Sequence, residues 1–184
     1  MTPAPGGVRV WPLWLRLSHW ALAASVLASF ATHEGGGVWH ERWGWLALAL
    51  ACMRLAAGLL SHNDHVRFQS WLKGPAATWR YAKAQWRGQA PRHVGHNPLG
   101  GWMMAVLLIN TLLCGLSGWL YTTDRFWGLA WLETLHGALG DAFVPLVLLH
   151  VAGALWASHQ QQENLIAAMW HGKKRTAAPG DMDP

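Results

Sequence analysis

Two histidines on one apolar segment are the residues whose type and spacing point most directly to chemistry. His136 and His150 lie fourteen residues apart, and the intervening GALGDAFVPLVLL contains a single charged side chain. On a helix that rises ~1.5 Å and turns ~100° per residue, both imidazoles leave the same face, ~21 Å apart along the axis. Because a hydrocarbon layer is ~30 Å thick, the pair predicts two buried cofactors stacked across a membrane.

The composition is that of a membrane protein. Of 184 residues, 52% are hydrophobic and only 12% are charged, whereas about 25% are charged in a typical globular protein. Many of the fifteen tryptophans stand at the ends of apolar blocks, as in an aromatic belt at the two membrane–water interfaces. The net charge of +5 is explained by membrane topology, so no nucleic-acid partner is expected.

Four apolar blocks divide the chain, at about 12–32, 40–60, 97–121 and 129–157. Each is close to the ~20 residues that a membrane-spanning helix needs. Lipid cannot satisfy bare backbone polar groups, so helices are expected. The predicted fold is therefore an all-α integral membrane protein, a bundle of four transmembrane helices that forms one domain over residues 1–184.

The charges of the connecting segments predict the orientation. The connection 61–96 carries six basic residues against one acid, and the tail 158–184 has a basic run at 173–175. The other two connections together carry four acids against two arginines. The positive-inside rule then places both termini and 61–96 in the cytoplasm. Within that loop, TWRYAKAQWR at 78–87 predicts a short amphipathic helix on anionic headgroups, with a solvated basic loop as the alternative.

This orientation places four histidines in two pairs at matching depths. His19 in the first block lies level with His150 on the cytoplasmic side, and His40 at the start of the second block lies level with His136 on the opposite side. Each pair could hold one haem iron from both faces, which fills both axial positions and favours electron transfer. The chain has no C-x-x-C-H, which excludes covalent attachment of a c-type haem.

Two further histidines compete for these roles. His33 lies seven residues before His40, and His40 is preferred because the second block begins there. His96 opens the third block on the cytoplasmic side, where it competes with His19 or His150. It is also a candidate for a quinone or haem-propionate site, with a plain helix-start histidine as the alternative.

Two arginines are candidates to bind the predicted cofactors. Arg16 lies three residues before His19 on the same helix face, and could pair with a haem propionate or anchor the helix in the cytoplasmic headgroups. Arg54 lies inside the second apolar block, fourteen residues after His40 and therefore at the cytoplasmic level. It is a candidate partner of a propionate or a quinone, or a side chain that reaches out to the headgroups.

Four motifs in this order, within four apolar blocks, resemble the bacterial cytochrome b561 family, which includes the b-type cytochrome subunits of nickel–iron hydrogenases. The resemblance covers nearly the whole chain, and it implies a four-helix bundle with two b haems ligated by His19, His40, His136 and His150. The motifs are R-L-S-H-W at 16–20, H-x3-G-x9-R from His40 through Gly44 to Arg54, G-H-N-P-L-G-G at 95–101, and H-x13-H from His136 to His150.

The resemblance also implies a function and a location. It implies electron exchange, in the bacterial inner membrane, between a periplasmic redox partner and a quinone such as ubiquinone or menaquinone. The G-H-N-P-L-G-G form is similar to small members that serve periplasmic c-type cytochromes. Other four-helix members are superoxide oxidases that reduce ubiquinone, but the net acidic periplasmic connections weaken the steering of an anion. A haem-free histidine-based transporter is a third hypothesis, and it does not explain the two level pairs.

Overall fold

The computed structural model describes residues 7–35 and 37–182, which are mostly α-helical. Two short strands, β1 (Val8–Arg9) and β2 (Lys173–Lys174), pair antiparallel, with Val8 opposite Lys174. The helices are α1 (Leu13–Ala31), α2 (Val38–Leu60), α3 (Phe68–Trp71), α4 (Pro75–Trp86), α5 (Pro98–Tyr121), α6 (Ala130–Gln161) and α7 (Leu165–His171).

The long helices α1, α2, α5 and α6 coincide with the four apolar blocks, with ends that differ by a few residues. Within the described ranges, α2, α5 and α6 are long and apolar enough to cross a membrane. Helix α1 has nineteen residues but is not apolar enough to be a candidate span, because Arg16 and His19 lower the mean hydropathy of its first two turns. Three candidate spans are therefore present, and the crossing of α1 remains a prediction.

The surface of α6 is suited to an apolar environment. None of the residues in its most apolar eighteen-residue stretch is buried, and Leu148 is 66% exposed. An exposed apolar surface of this kind is unfavourable in water and marks contact with lipid or with a hydrophobic partner. The apolar helices and their exposed side chains are those of a membrane protein.

The described residues form two compact units. The first unit comprises 7–16, 57–104 and 149–182, and the second comprises 17–35, 37–56 and 105–148. In the first unit the backbone amides of Val10 and Trp11 both donate to the carbonyl of Gly172, at 3.0 and 3.2 Å. The core of this unit contains Val10, Trp11, Leu15, Val66 and Val94.

A buried ion cluster joins the central loop to the C-terminal segment in the first unit. Arg92 donates to the carboxylates of Glu163 at 3.0 Å and Asp181 at 2.5 Å. Lys174 is also buried, and its ammonium donates to the carbonyl of Gly95 at 3.3 Å. Burial lowers the pKa of Lys174 to about 8. These contacts hold the central loop against the C-terminal tail. Both segments were predicted from their charge to lie in the cytoplasm.

The amphipathic helix predicted in the central loop is confirmed as α4. Its inner face buries Tyr81 and Gln85, and the Gln85 carbonyl accepts a hydrogen bond of 2.8 Å from the side chain of Gln160 in α6. On the outer face Trp86 is 82% exposed and Lys83 lies 5.2 Å from the ring centroid of exposed Trp79. Exposed tryptophans beside basic side chains are suited to the headgroup layer, so the predicted lipid contact of α4 stands as a prediction.

Small residues bring the helices of the second unit close together. A Cβ built on Gly115 would lie 2.9 Å from Cδ1 and 3.0 Å from Cβ of Leu48, so the absence of a side chain at Gly115 lets α5 pack closely against α2. The side-chain amide of Asn110 in α5 donates to the carbonyl of Leu139 in α6 at 3.0 Å. Such close packing and polar contacts are typical of helices that associate in lipid.

Candidate functional site

Two of the four predicted ligands lie side by side in the second unit. His40 is the third residue of α2 and His136 is the seventh residue of α6. Their ring centroids are 5.8 Å apart, and the ring planes make an angle of 88°. The structure thus brings together two half-buried imidazoles from helices that are distant in sequence.

The neighbours of His40 determine which of its ring nitrogens carries the hydrogen. Its Nδ1 lies 2.9 Å from the backbone carbonyl of Ser29 in α1, and 3.3 Å from the hydroxyl of the same serine. A carbonyl only accepts hydrogen bonds, so Nδ1 carries the proton and donates it. The neutral ring then keeps its lone pair on Nε2, which is the form that ligates a metal.

His136 has a matching environment on a different helix. Its Nδ1 lies 3.1 Å from the carbonyl of Cys114 in α5 and 3.2 Å from the hydroxyl of Ser117. A Cβ on Gly118 would lie 2.9 Å from Cε1 of His136, so glycine is required for this close approach. By the same reasoning Nδ1 donates and Nε2 carries the lone pair.

A pair of imidazoles that present Nε2 fits a haem iron better than a bare metal ion. Structural zinc needs four protein ligands and catalytic zinc three, but within 7–35 and 37–182 no group of three or more His, Cys, Asp or Glu could hold a metal. A haem iron needs only two axial ligands from the protein. A Cβ on Gly137 or Gly140 would meet no atom within 4 Å, so α6 presents no bulk beside His136 to oppose a flat ring.

The other two predicted ligands lie in different units, and each is described alone. His19 in α1 is half-buried, with its ring centroid 5.3 Å from that of Trp20 at an angle of 80°. His150 is half-buried in α6, which runs as one helix from Ala130 through Pro145 to Gln161. The pairing of His19 with His150 remains a prediction.

The two rival histidines occupy other environments. His33 is exposed, and its ring stacks on the ring of Phe30 with 5.3 Å between the two centroids. His96 lies two residues before α5 begins, with its ring centroid 4.4 Å from Trp11 and 5.1 Å from Trp71. His96 is thus part of an aromatic cluster in the first unit.

The two candidate arginines differ in their surroundings. Arg16 in α1 donates a hydrogen bond to the carbonyl of Trp170 in α7, so it ties these two helices together. A Cβ on Gly172 would lie 2.8 Å from the backbone carbonyl oxygen of Trp11, and the φ of this residue is +80°, so glycine is required directly after α7. Arg54 is half-buried within the apolar helix α2. Their roles toward a propionate or a quinone remain predictions.

Ser29, Ser117 and the carbonyl of Cys114 were not identified from the sequence as partners of the histidines. A serine within an apolar block is the one signal that marks Ser29 and Ser117. That signal does not distinguish them from Ser25, whose hydroxyl donates to the Ala21 carbonyl of its own helix at 2.7 Å. Only the rotation of each helix in the fold shows which serine meets an imidazole.

Comparison with known protein families gives a match that covers most of the chain. The model of a family described as prokaryotic cytochrome b561 matches residues 10–172, which is most of the 184-residue chain. No curated protein and no solved structure gave a significant match. The matched range includes all the predicted ligands and the basic central loop.

Proposed function

The chain belongs to the prokaryotic cytochrome b561 family, and on that premise we propose that it carries electrons across the bacterial inner membrane between a periplasmic redox partner and the quinone pool. Membership makes it a membrane b-type cytochrome of electron transfer. The number of haems, their ligands, the partners and the orientation are our proposal.

The pair His40 and His136 is the observation on which the proposal chiefly rests. Both rings present Nε2 as a ligand because their Nδ1 atoms donate to carbonyls at 2.9 and 3.1 Å. His40 and His136 would hold the haem iron between them, which would favour electron transfer over the binding of oxygen or substrate. A bound b haem would supply the one-electron chemistry, and the chain would hold it rigidly and apart from water.

A second haem is proposed between His19 and His150. Since His136 and His150 lie on the same helix, α6 would provide one ligand to each haem, ~21 Å apart along its axis. The two haems would then form a path for electrons between the two sides of the bilayer. Arg16 and Arg54 are proposed to pair with propionates or quinone, and His96 to contribute to a quinone or propionate site.

The partners follow from the orientation that we propose. The exposed basic residues of α4 and the tail support a cytoplasmic position for the connection 61–96 and for both termini. The pair His40–His136 would then serve the periplasmic side, where we propose a c-type cytochrome as the partner. Ubiquinone or menaquinone would be reduced or oxidised within the membrane.

Electron exchange with both partners would test the proposal directly. We expect haem-loaded protein in lipid vesicles to be reduced by a ubiquinol or menaquinol analogue, and to exchange electrons with a soluble c-type cytochrome. Rapid-mixing absorbance at the haem α-band would follow both reactions. A His136→Leu variant should lose the exchange with the c-type cytochrome.

Three other outcomes would contradict the proposal. Haem-loaded protein that exchanges electrons with no quinone in either direction would exclude the quinone as a partner. Rapid superoxide consumption with concurrent ubiquinone reduction, and without exchange with a c-type cytochrome, would establish the superoxide oxidase in its place. Transport of metal or protons by protein that lacks haem would establish the transporter.

A further inference from the structure

We propose that Ser29 and Ser117 are positioning residues that set the midpoint potential of the haem held by His40 and His136. This inference rests on the proposed function, because it requires that these two histidines ligate a haem. It concerns the atoms that face the Nδ1 side of each imidazole, on the opposite side of the ring from the metal.

The hydroxyl of Ser117 lies within hydrogen-bond distance of Nδ1 of His136. Its Oγ lies 3.2 Å from Nδ1 of His136 and donates to the carbonyl of Cys114 at 2.9 Å. The same carbonyl lies 3.1 Å from that Nδ1. Since the hydroxyl proton goes to the carbonyl, the lone pairs of Oγ remain to accept from Nδ1–H, which is shared between two oxygens.

Ser29 makes the equivalent arrangement with His40 from another helix. Its carbonyl lies 2.9 Å from Nδ1 of His40, and its Oγ lies 3.3 Å from the same nitrogen. The hydroxyl also lies 3.4 Å from the carbonyl of His40, to which it donates. Each imidazole of the pair is therefore flanked by one carbonyl and one serine hydroxyl.

The burial of Ser117 argues that its contact with the imidazole is not incidental. Ser117 is 4% exposed, and a hydroxyl in an apolar interior is unfavourable unless it is hydrogen-bonded. Ser25 is as deeply buried, at 1% exposed, but it is satisfied entirely by its own helix. Ser117 likewise donates to its own helix, but its oxygen additionally meets the imidazole.

The chemistry of such neighbours predicts the direction of the effect. Acceptors at Nδ1–H increase the basicity of the ligating nitrogen, and a more basic ligand stabilises the oxidised iron over the reduced iron. Removing one of two acceptors should therefore raise the midpoint potential. A tenfold loss in the preference for oxidised iron corresponds to a rise of 59 mV for a one-electron couple.

The test is a potentiometric titration, followed optically, of wild type and serine variants. We expect Ser117→Ala and Ser29→Ala each to raise the midpoint potential of the same haem. The rise should correspond to at most a tenfold loss in the preference for oxidised iron. The midpoint potential of the other haem should not change. Ser117→Thr retains a hydroxyl and should return the potential toward the wild-type value. Ser25→Ala, a matched buried serine of α1, should shift neither haem.

Two sets of results separate this inference from the proposed function. Two bound haems whose potentials are unchanged in both alanine variants, or are shifted equally by Ser25→Ala, would overturn the role of the serines alone. A chain without haem, or one in which His136→Leu keeps both haems, would overturn the proposed function. If Ser117→Ala does not accumulate, Ser29→Ala decides the outcome, since an unchanged haem potential in that variant contradicts the inference.

Discussion

Replacing His136 with leucine is expected to remove one of two haems and to leave the other bound. Leucine offers no nitrogen to an iron, and it leaves His40 without its partner, 5.8 Å away between ring centroids in the wild type. Extractable haem per protein should fall from two to one. The remaining haem should keep its low-spin reduced-minus-oxidised bands, because His19 and His150 are unchanged.

Variants of the other histidines test the pairing itself. His40→Leu should remove the same haem as His136→Leu, whereas His19→Leu and His150→Leu should remove the other one. The control is His159→Leu, because His159 is an exposed residue in the last turn of the same helix, α6, and its replacement should leave both haems. Loss of the same haem in His40→Leu and His19→Leu would show that the pairing is wrong.

Replacing Arg92 with methionine is expected to destabilise the protein by about 3–5 kcal/mol, the usual effect of removing one partner of a buried ion pair. The side chains of Arg92, Glu163 and Asp181 are only 5%, 9% and 11% exposed. Methionine would leave two nearly buried carboxylates without their main cation. Denaturant-induced unfolding in detergent at neutral pH would measure the loss.

The pH dependence of this loss provides an independent check. Burial alone would raise the pKa of Glu163, but its hydrogen bonds from Arg92 and Arg175 hold that pKa below its usual value. A lowered folded-state pKa contributes stability above the usual pKa of the acid, and this is lost as the pH falls through the folded-state value. The difference in unfolding free energy between wild type and Arg92→Met should therefore be largest at neutral pH and should decrease as the pH falls.

The exposed pair of Arg67 and Asp64 offers the matched control. These side chains are 40% and 60% exposed and lie 3.2 Å apart, and exposed pairs contribute about 0–1 kcal/mol. Arg67→Met should accordingly have little effect on the unfolding free energy. A loss in Arg92→Met no greater than in Arg67→Met would contradict the structural role of the cluster.

The long helices could be predicted because one physical requirement determines them. A chain in lipid must form apolar helices of about the bilayer thickness, so the apolar runs located α2, α5 and α6 within a few residues. Proline at the first position of α5, preceded by Asn97 whose side chain accepts from Gly100 at 2.7 Å, marks that start. The prediction that α1 crosses the membrane was not confirmed, because the polar residues in its first two turns lower its mean hydropathy.

The partners within each unit could not be predicted, because they depend on how elements distant in sequence pack. Arg92 and Lys174 were counted among the loop and tail charges that indicate topology, yet both are buried. The acids that pair with Arg92 are far along the chain, and Glu163 is 71 residues away from it. Similarly, the spacing of the histidines predicted a depth for His40 and His136, but not the carbonyls that accept a hydrogen bond from each Nδ1.

Haem stoichiometry in the purified wild-type protein is the measurement to make first. The chain should be produced under haem-sufficient conditions, purified in detergent, and analysed by a reduced-minus-oxidised spectrum together with extractable haem per protein. Two non-covalent b haems per chain with low-spin bands are expected, one for each histidine pair. A single haem would show that one pair is wrongly assigned, and protein with no haem would contradict electron transfer through His40 and His136.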